Sequence, residues 1–223
     1  MVNKKNFLFN FFLAFAIVFS MQTLTDAKEE IKEYRQNELV ELIKLAPSLK
    51  LDIRYATKNN FLGYPVYKEA KAFLQKPVAE SLIRVNKSIQ KDGYGLLVFD
   101  GYRPWSVTKL FWDKIEPGKR KFVADPKTGS IHNRGCAVDL SLYDLKTRKE
   151  VKMPCEYDTF SEVAYPTYSG GTIEEHKNRD YLIKQMEKEG FKVHSSEWWH
   201  FDHEDCGKYK VLDLSFDEVI KNN

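Results

Sequence analysis

Apolar and polar positions along the chain fall into short blocks with two distinct periods. Leu49, Leu51 and Ile53 alternate with Lys50, Asp52 and Arg54, the pattern of a half-buried strand. Before them, within 28–46, Leu39, Leu42, Ile43 and Ala46 recur at near-helical spacing and predict a polar helical lead-in. Pro77 opens a helix to about Lys91, with Val78, Leu82, Ile83 and Ile89 on its apolar side, since proline suits the first helical turn. Gly93 stops that helix, and Tyr94–Phe99 reads as a strongly apolar strand. A turn at Asp100-Gly101 leads to Pro104, which starts a second helix carrying Val107, Leu110 and Phe111. Cys136–Leu142 predicts another strand. Thr172 followed by Glu175 is a capping-box signal for a helix through Glu189, closed by Gly190. Phe191–His194 and Trp198–His203 are expected strands with a bend at Ser195-Ser196-Glu197.

Helices and strands mix here without a regular βαβ rhythm, and several strand pairs lie close enough for hairpins. The expected class is therefore α+β: one domain with a largely antiparallel central sheet flanked by helices. A chain of 223 residues, 43% hydrophobic and 14% aromatic, supplies a sizeable single core. Lys+Arg of 35 against Asp+Glu of 32 leaves only +3, with no basic stripe. Nucleic acid is thus not an expected partner, and a small-molecule or peptide substrate fits better. A mean hydropathy of −0.50 excludes a multi-span membrane protein.

The first 27 residues differ from the rest. Lys4 and Lys5 precede an apolar run from Phe7 to Phe19, broken only by Asn10, and a polar stretch ends at Ala27. That order predicts a signal peptide over 1–27, a mature domain over 28–223 and export to the periplasm or medium. An uncleaved anchor is the alternative, but the run is short of the roughly 20 residues a spanning helix needs. No membrane contact is expected beyond this segment. Export bears on the three cysteines, because thiols outside the cytosol tend to pair. The expectation is a Cys155–Cys206 disulfide, with Cys136 left reduced among Val138 and Leu140 on the core face of its strand.

Chemistry concentrates in three places. In Ser130-Ile-His132-Asn-Arg-Gly135-Cys-Ala-Val-Asp139, side-chain alternation puts Asp139 on the second strand face beside the small Ala137 and Ser141. His132 lies on the preceding loop, and Gly135 lets the chain fold back toward Asp139. Taken alone, this segment fits ordinary hydrogen bonding equally well. Glu197-Trp-Trp-His200 places a carboxylate three residues before an imidazole, and both reach one cleft only if the bend turns Glu197 inward. Together the segments offer two histidines and a carboxylate, a standard catalytic-zinc set, with Glu197 left over to take a proton from water. Asp100-Gly-Tyr-Arg103-Pro104 ends an apolar strand, where a guanidinium can stabilise an oxyanion, although a surface salt bridge is the ordinary use of such a turn.

The run SxHxxGxAxD, then ExWH, with GYRP upstream, resembles the zinc D-alanyl-D-alanine dipeptidases of the vancomycin-resistance type. These belong to a wider zinc D,D-peptidase group that shares its fold with the Hedgehog signalling domain. The likeness extends from about Leu51-Asp-Ile-Arg-Tyr55 through His200, and includes Gly93–Pro104 and Val138–Tyr143. It implies one zinc per chain held by His132, Asp139 and His200, with Glu197 as base and Arg103 as the transition-state arginine. It further implies that Asp158 and Tyr55 hold the substrate's ammonium and that Ser130 is a substrate-binding hydroxyl. The implied substrate is the small peptide D-Ala-D-Ala. The expected signal peptide departs from the better-known members, which are cytoplasmic, as do Cys155 and Cys206.

Three other readings compete. Ser106-Val-Thr-Lys109 and Lys127-Thr-Gly129 match two motifs of penicillin-binding serine enzymes, but no SDN triplet exists and the two lie too close together. A non-catalytic zinc domain that binds cell wall would not need Glu197 or Arg103. A D,D-carboxypeptidase that trims longer wall peptides would use the same metal chemistry. His176 is expected at the surface, and so is His194, with support of a metal ligand beside the Glu197 bend as its alternative; His203 alternates away from His200.

Overall fold

The computed structural model describes residues 33–222, so the expected signal peptide lies outside the described residues. From Arg35 on the chain packs as one unit. Its centre is a five-stranded sheet of β2 (Lys50–Leu51), β4 (Tyr94–Asp100), β5 (Ala137–Asp144), β7 (Glu197–His203) and β6 (Phe191–His194), in that spatial order. Only β2 and β4 run parallel, and the other neighbours are antiparallel. A separate two-stranded ribbon joins β1 (Leu39–Glu41) to β3 (Phe73–Gln75). The helices α2 (Lys76–Gln90) and α4 (Ile173–Glu187) pack on the sheet and on each other, and α3 (Trp105–Lys114) follows β4. The α+β class with a largely antiparallel sheet is what the alternation of patterns predicts.

The core follows from those patterns. Val78, Leu82, Val85 and Ile89 recur along α2 and are fully buried against Leu96, Val98, Val138, Leu140 and Leu142. Each such side chain contributes roughly 1.5–3 kcal/mol on removal from water. Thr172 and Glu175 form the expected capping box at the start of α4.

Two local expectations change. The helical lead-in becomes β1 followed by a single turn, α1 (Leu42–Leu45), because residues 39–41 find hydrogen-bonding partners in β3. The strand expected over 49–54 shortens to β2: after the Asp52 N–H bonds to Val98 O, the chain turns into a 3-10 segment over Arg54–Ala56. That turn buries Tyr55.

The cysteine pairing is also different. The disulfide joins Cys136 to Cys206, with Cα atoms 5.3 Å apart, and Cys155 is the free thiol. Strand order explains it. Cys136 immediately precedes β5 and Cys206 lies in the turn after β7, and β5 and β7 are neighbours whose pairing sets Ala137 opposite Asp202. Cys136 is on the buried face as expected, but the returning chain brings Cys206 to it. Cys155 instead accepts the indole N–H of Trp198 at 3.3 Å.

Candidate metal centre

Sheet register builds the site. Asp100 at the end of β4 pairs with Asp139 on β5, and Asp139 pairs with His200 on β7. Residues directly opposite on adjacent strands project to the same face, so three polar side chains stand in one row across the sheet. A register shift between Val98 and Asp100 re-aims the end of β4, a usual role of a bulge beside a site. A second shift between Val193 and His194 puts His194 opposite Glu197. At that irregularity Glu197 enters the cleft, with Oε2 3.8 Å from His200 Nδ1.

His132 arrives from the loop before β5. Its turn is capped by Ser130, whose Oγ accepts the His132 N–H, and ends at Gly135 with φ +69°. The backbone angle favours glycine there, and a Cβ at Gly135 would also force the tip of the Leu39 side chain to shift. The loop is tied to the preceding turn, because Arg103 N–H donates to His132 O at 3.2 Å and Asn133 Nδ2 donates to Arg103 O at 2.8 Å.

The two imidazoles are oriented from behind. His132 Nδ1–H donates to Gly101 O at 2.7 Å, and His200 Nε2–H donates to Asp202 Oδ1 at 2.9 Å. These partners assign the tautomers and leave lone pairs on His132 Nε2 and His200 Nδ1. The two lone pairs lie 3.1 Å apart, and Asp139 Oδ1 lies 3.3 and 3.0 Å from them. Asp139 Oδ1 is buried without a hydrogen-bond donor, while Oδ2 accepts the Tyr157 hydroxyl at 2.9 Å. Two imidazole nitrogens and a buried carboxylate oxygen converging in this way form a ligand set for a cation. Tetrahedral zinc with ligand bonds near 2.0–2.1 Å sets its ligands ~3.3 Å apart, close to the spacing here. The set therefore fits a single zinc ion with a fourth position open to the cleft.

Around the triad lies a cavity of about 270 Å³, lined among others by Tyr55, Arg103, Ser130, Asp158, Glu197 and Trp199. All eight residues singled out in the sequence thus border one space. Arg103 is fixed by Nε and Nη2 donating to Asp100 Oδ2 at 3.0 and 2.8 Å, with Nη2 also 3.6 Å from Asp139 Oδ2. Its guanidinium lies over the rings of Phe111 and Tyr55. Burial pushes the Glu197 carboxyl up to about 7, into the range of a proton carrier at neutral pH. Asp158 is lifted further, to about 8, by burial and by the nearby Asp139. Its Oδ1 accepts the Tyr55 hydroxyl at 3.1 Å, its Oδ2 is buried without a partner, and its backbone sits at φ +61°.

Several contributors escaped sequence reasoning. Asp100, also bonded by Tyr67, anchors Arg103. Tyr157 and Asp202 hold metal-facing side chains in place. Strand alternation could have found Asp202, which is two residues beyond His200 and so on the same strand face. His194 is exposed, as expected, and also borders the cavity, with its ring 5.2 Å from that of His200. His203 does point away and reaches Ser81 Oγ at 3.2 Å, and His176 bonds the carbonyl of Gly170.

Comparison with known proteins agrees. The peptidase M15 family model, described as D-ala-D-ala dipeptidase, matches residues 35–222. A D-alanyl-D-alanine dipeptidase of Enterococcus faecium is 33% identical over 181 residues, 72% of this chain and 88% of that protein. Its counterpart in Enterococcus faecalis is 32% identical over 205 residues, 84% and 98% of the two chains. A solved vancomycin-resistance D,D-dipeptidase, in complex with a D-Ala-D-Ala phosphinate analog, is 18% identical with a TM-score of 0.36, covering 84% of this chain and 76% of that one. With nearly all of its described length matched, the chain belongs to the M15 peptidase family of D-Ala-D-Ala dipeptidases.

Proposed function

We propose that this protein hydrolyses D-Ala-D-Ala to D-alanine with one zinc ion held by His132, Asp139 and His200. Bound at that set, zinc supplies a polarised carbonyl and a water acidic enough to attack at neutral pH. Glu197 takes the proton from the attacking water and delivers it to the leaving amine, which its raised proton affinity allows. Arg103, held against Asp139, faces the oxygen on which negative charge develops. Tyr55 and Asp158 receive the α-ammonium, and the Ser130 hydroxyl donates to the substrate.

The observation that favours a free dipeptide over a longer wall peptide is Asp158. A buried carboxylate oxygen without a donor, on a strained backbone, is a costly arrangement that a docking ammonium relieves. Burial keeps Asp158 largely protonated at neutral pH, so a docking ammonium favours its carboxylate form, and a neutral amide at that place does not. The test compares D-Ala-D-Ala with L-Ala-L-Ala, N-acetyl-D-Ala-D-Ala and a wall pentapeptide, with and without a chelator. Chelator-sensitive cleavage confined to the free D,D-dipeptide is expected. Equal cleavage of the acetylated or longer peptides would make this a carboxypeptidase.

We also propose that the chain is exported and that its signal peptide, residues 1–27, is removed. The order of basic, apolar and polar residues supports this, as does a disulfide between Cys136 and Cys206, a bond at home in oxidising compartments. Among the described residues no helix is long and apolar enough to cross a membrane. Cell fractionation with N-terminal sequencing decides the matter: a cytosolic protein retaining Met1 would refute export.

A further inference from the structure

D-Ala-D-Ala is a zwitterion, and Asp158 answers only one of its charges. Resting on the dipeptidase reading, we infer that Lys121 receives the C-terminal carboxylate and is a specificity-determining residue for this reaction. Among the residues bordering the cavity the acidic ones are Asp139, Asp158, Glu197 and Asp202, and the Lys and Arg side chains are Arg103 and Lys121. Arg103, anchored by Asp100, is already assigned to the developing oxyanion at the metal side of the cavity. Lys121 lies on the 3-10 turn Pro117–Phe122 with two other cations, and those are engaged elsewhere. Lys119 pairs with Glu116 at 3.2 Å, and Arg120 lies over the Trp112 ring.

Lys121 differs from both. It has no carboxylate partner among the described residues, and it borders the cavity with its Nζ 4.9 Å from the Phe122 ring centroid. That ring stacks on Phe160, which meets Phe61, so the ammonium rests on an aromatic wall. Residues 121–124 and 129–132 border the same space, which puts Lys121 and Ser130 on one stretch of chain. Ser130 Oγ accepts the His132 N–H and keeps its own proton to donate. A carboxylate there meets an ammonium and a hydroxyl, a charge-assisted pair of the kind that fixes orientation.

The experiment measures kcat and KM for D-Ala-D-Ala and for D-alanyl-D-alaninamide, which keeps the ammonium and loses the carboxylate. Wild type is expected to favour the acid. Lys121→Met should lower kcat/KM for the acid about tenfold, mainly through KM, and leave the amide within twofold. Lys121→Arg should restore most of the loss. An equal fall for both substrates would make Lys121 structural, and no change for either would remove it from the site. Wild type cleaving neither substrate would overturn the dipeptidase reading and this assignment together.

Discussion

At His132 and His200 the proton on the outer nitrogen decides what the inner nitrogen can do. Replacing His132, Asp139 or His200 with alanine is expected to abolish zinc binding and activity together. Glu197→Ala should keep zinc and lose nearly all turnover, since it removes proton transfer and no ligand. Metal analysis of the purified variants alongside activity checks both, and loss of zinc from Glu197→Ala would contradict the division of roles. For Arg103→Ala the expected fall is in kcat, about 10²–10³-fold, the cost of one oxyanion donor. Normal turnover in that variant would exclude it from the chemistry.

Asp158 makes a prediction in the opposite direction. Its folded-state value of about 8 stands above the ordinary carboxylate value of 3.8, so folding takes up a proton between those two pH values. This residue therefore weakens the fold progressively as pH rises from about 4 to 8, and by a constant amount above that. Asp158→Asn should melt higher than wild type, with a gap that widens across this window and then levels. The same variant should raise KM for D-Ala-D-Ala and narrow its advantage over the acetylated peptide. Melting curves at pH 5 and pH 8.5 measure the first effect, and a constant gap would return Asp158 to a turn-forming role.

Elements were legible where period and punctuation agree. Pro77 and Gly93 bracket α2, and the Thr172–Glu175 pair marks the start of α4, because these signals are local. The lead-in was misread since three residues of β1 are made a strand by β3, far along the chain. The disulfide fails sequence reasoning for the same cause. Cys136 and Cys206 meet only once β5 and β7 are adjacent, which no spacing reveals. The site lies between these cases: each proposed ligand stood in a recognisable motif, whereas Asp100, Tyr157 and Asp202 are seen to support them only in the folded chain. Cys206→Ser is expected to destabilise the oxidised protein by about 2–4 kcal/mol, as for loss of a long-loop disulfide. Thiol titration of wild type in denaturant should find one free cysteine, and three would show that the bond does not form.

For the whole molecule, the arrangement of strands separates the ligands in sequence but not in space. His132 and Asp139 lie seven positions apart, and His200 joins them only through the β5–β7 pairing. Contacts of such long sequence separation close late, after the entropy of the intervening loop is lost. The metal set is thus complete only once the sheet has received its fourth and fifth strands. A nascent chain can offer the ion two ligands at most until Phe191–His203 has emerged and docked. Ion capture is then a record of finished folding. On the proposed export, a chain crossing the membrane unfolded would draw its ion from the far side and not carry it over.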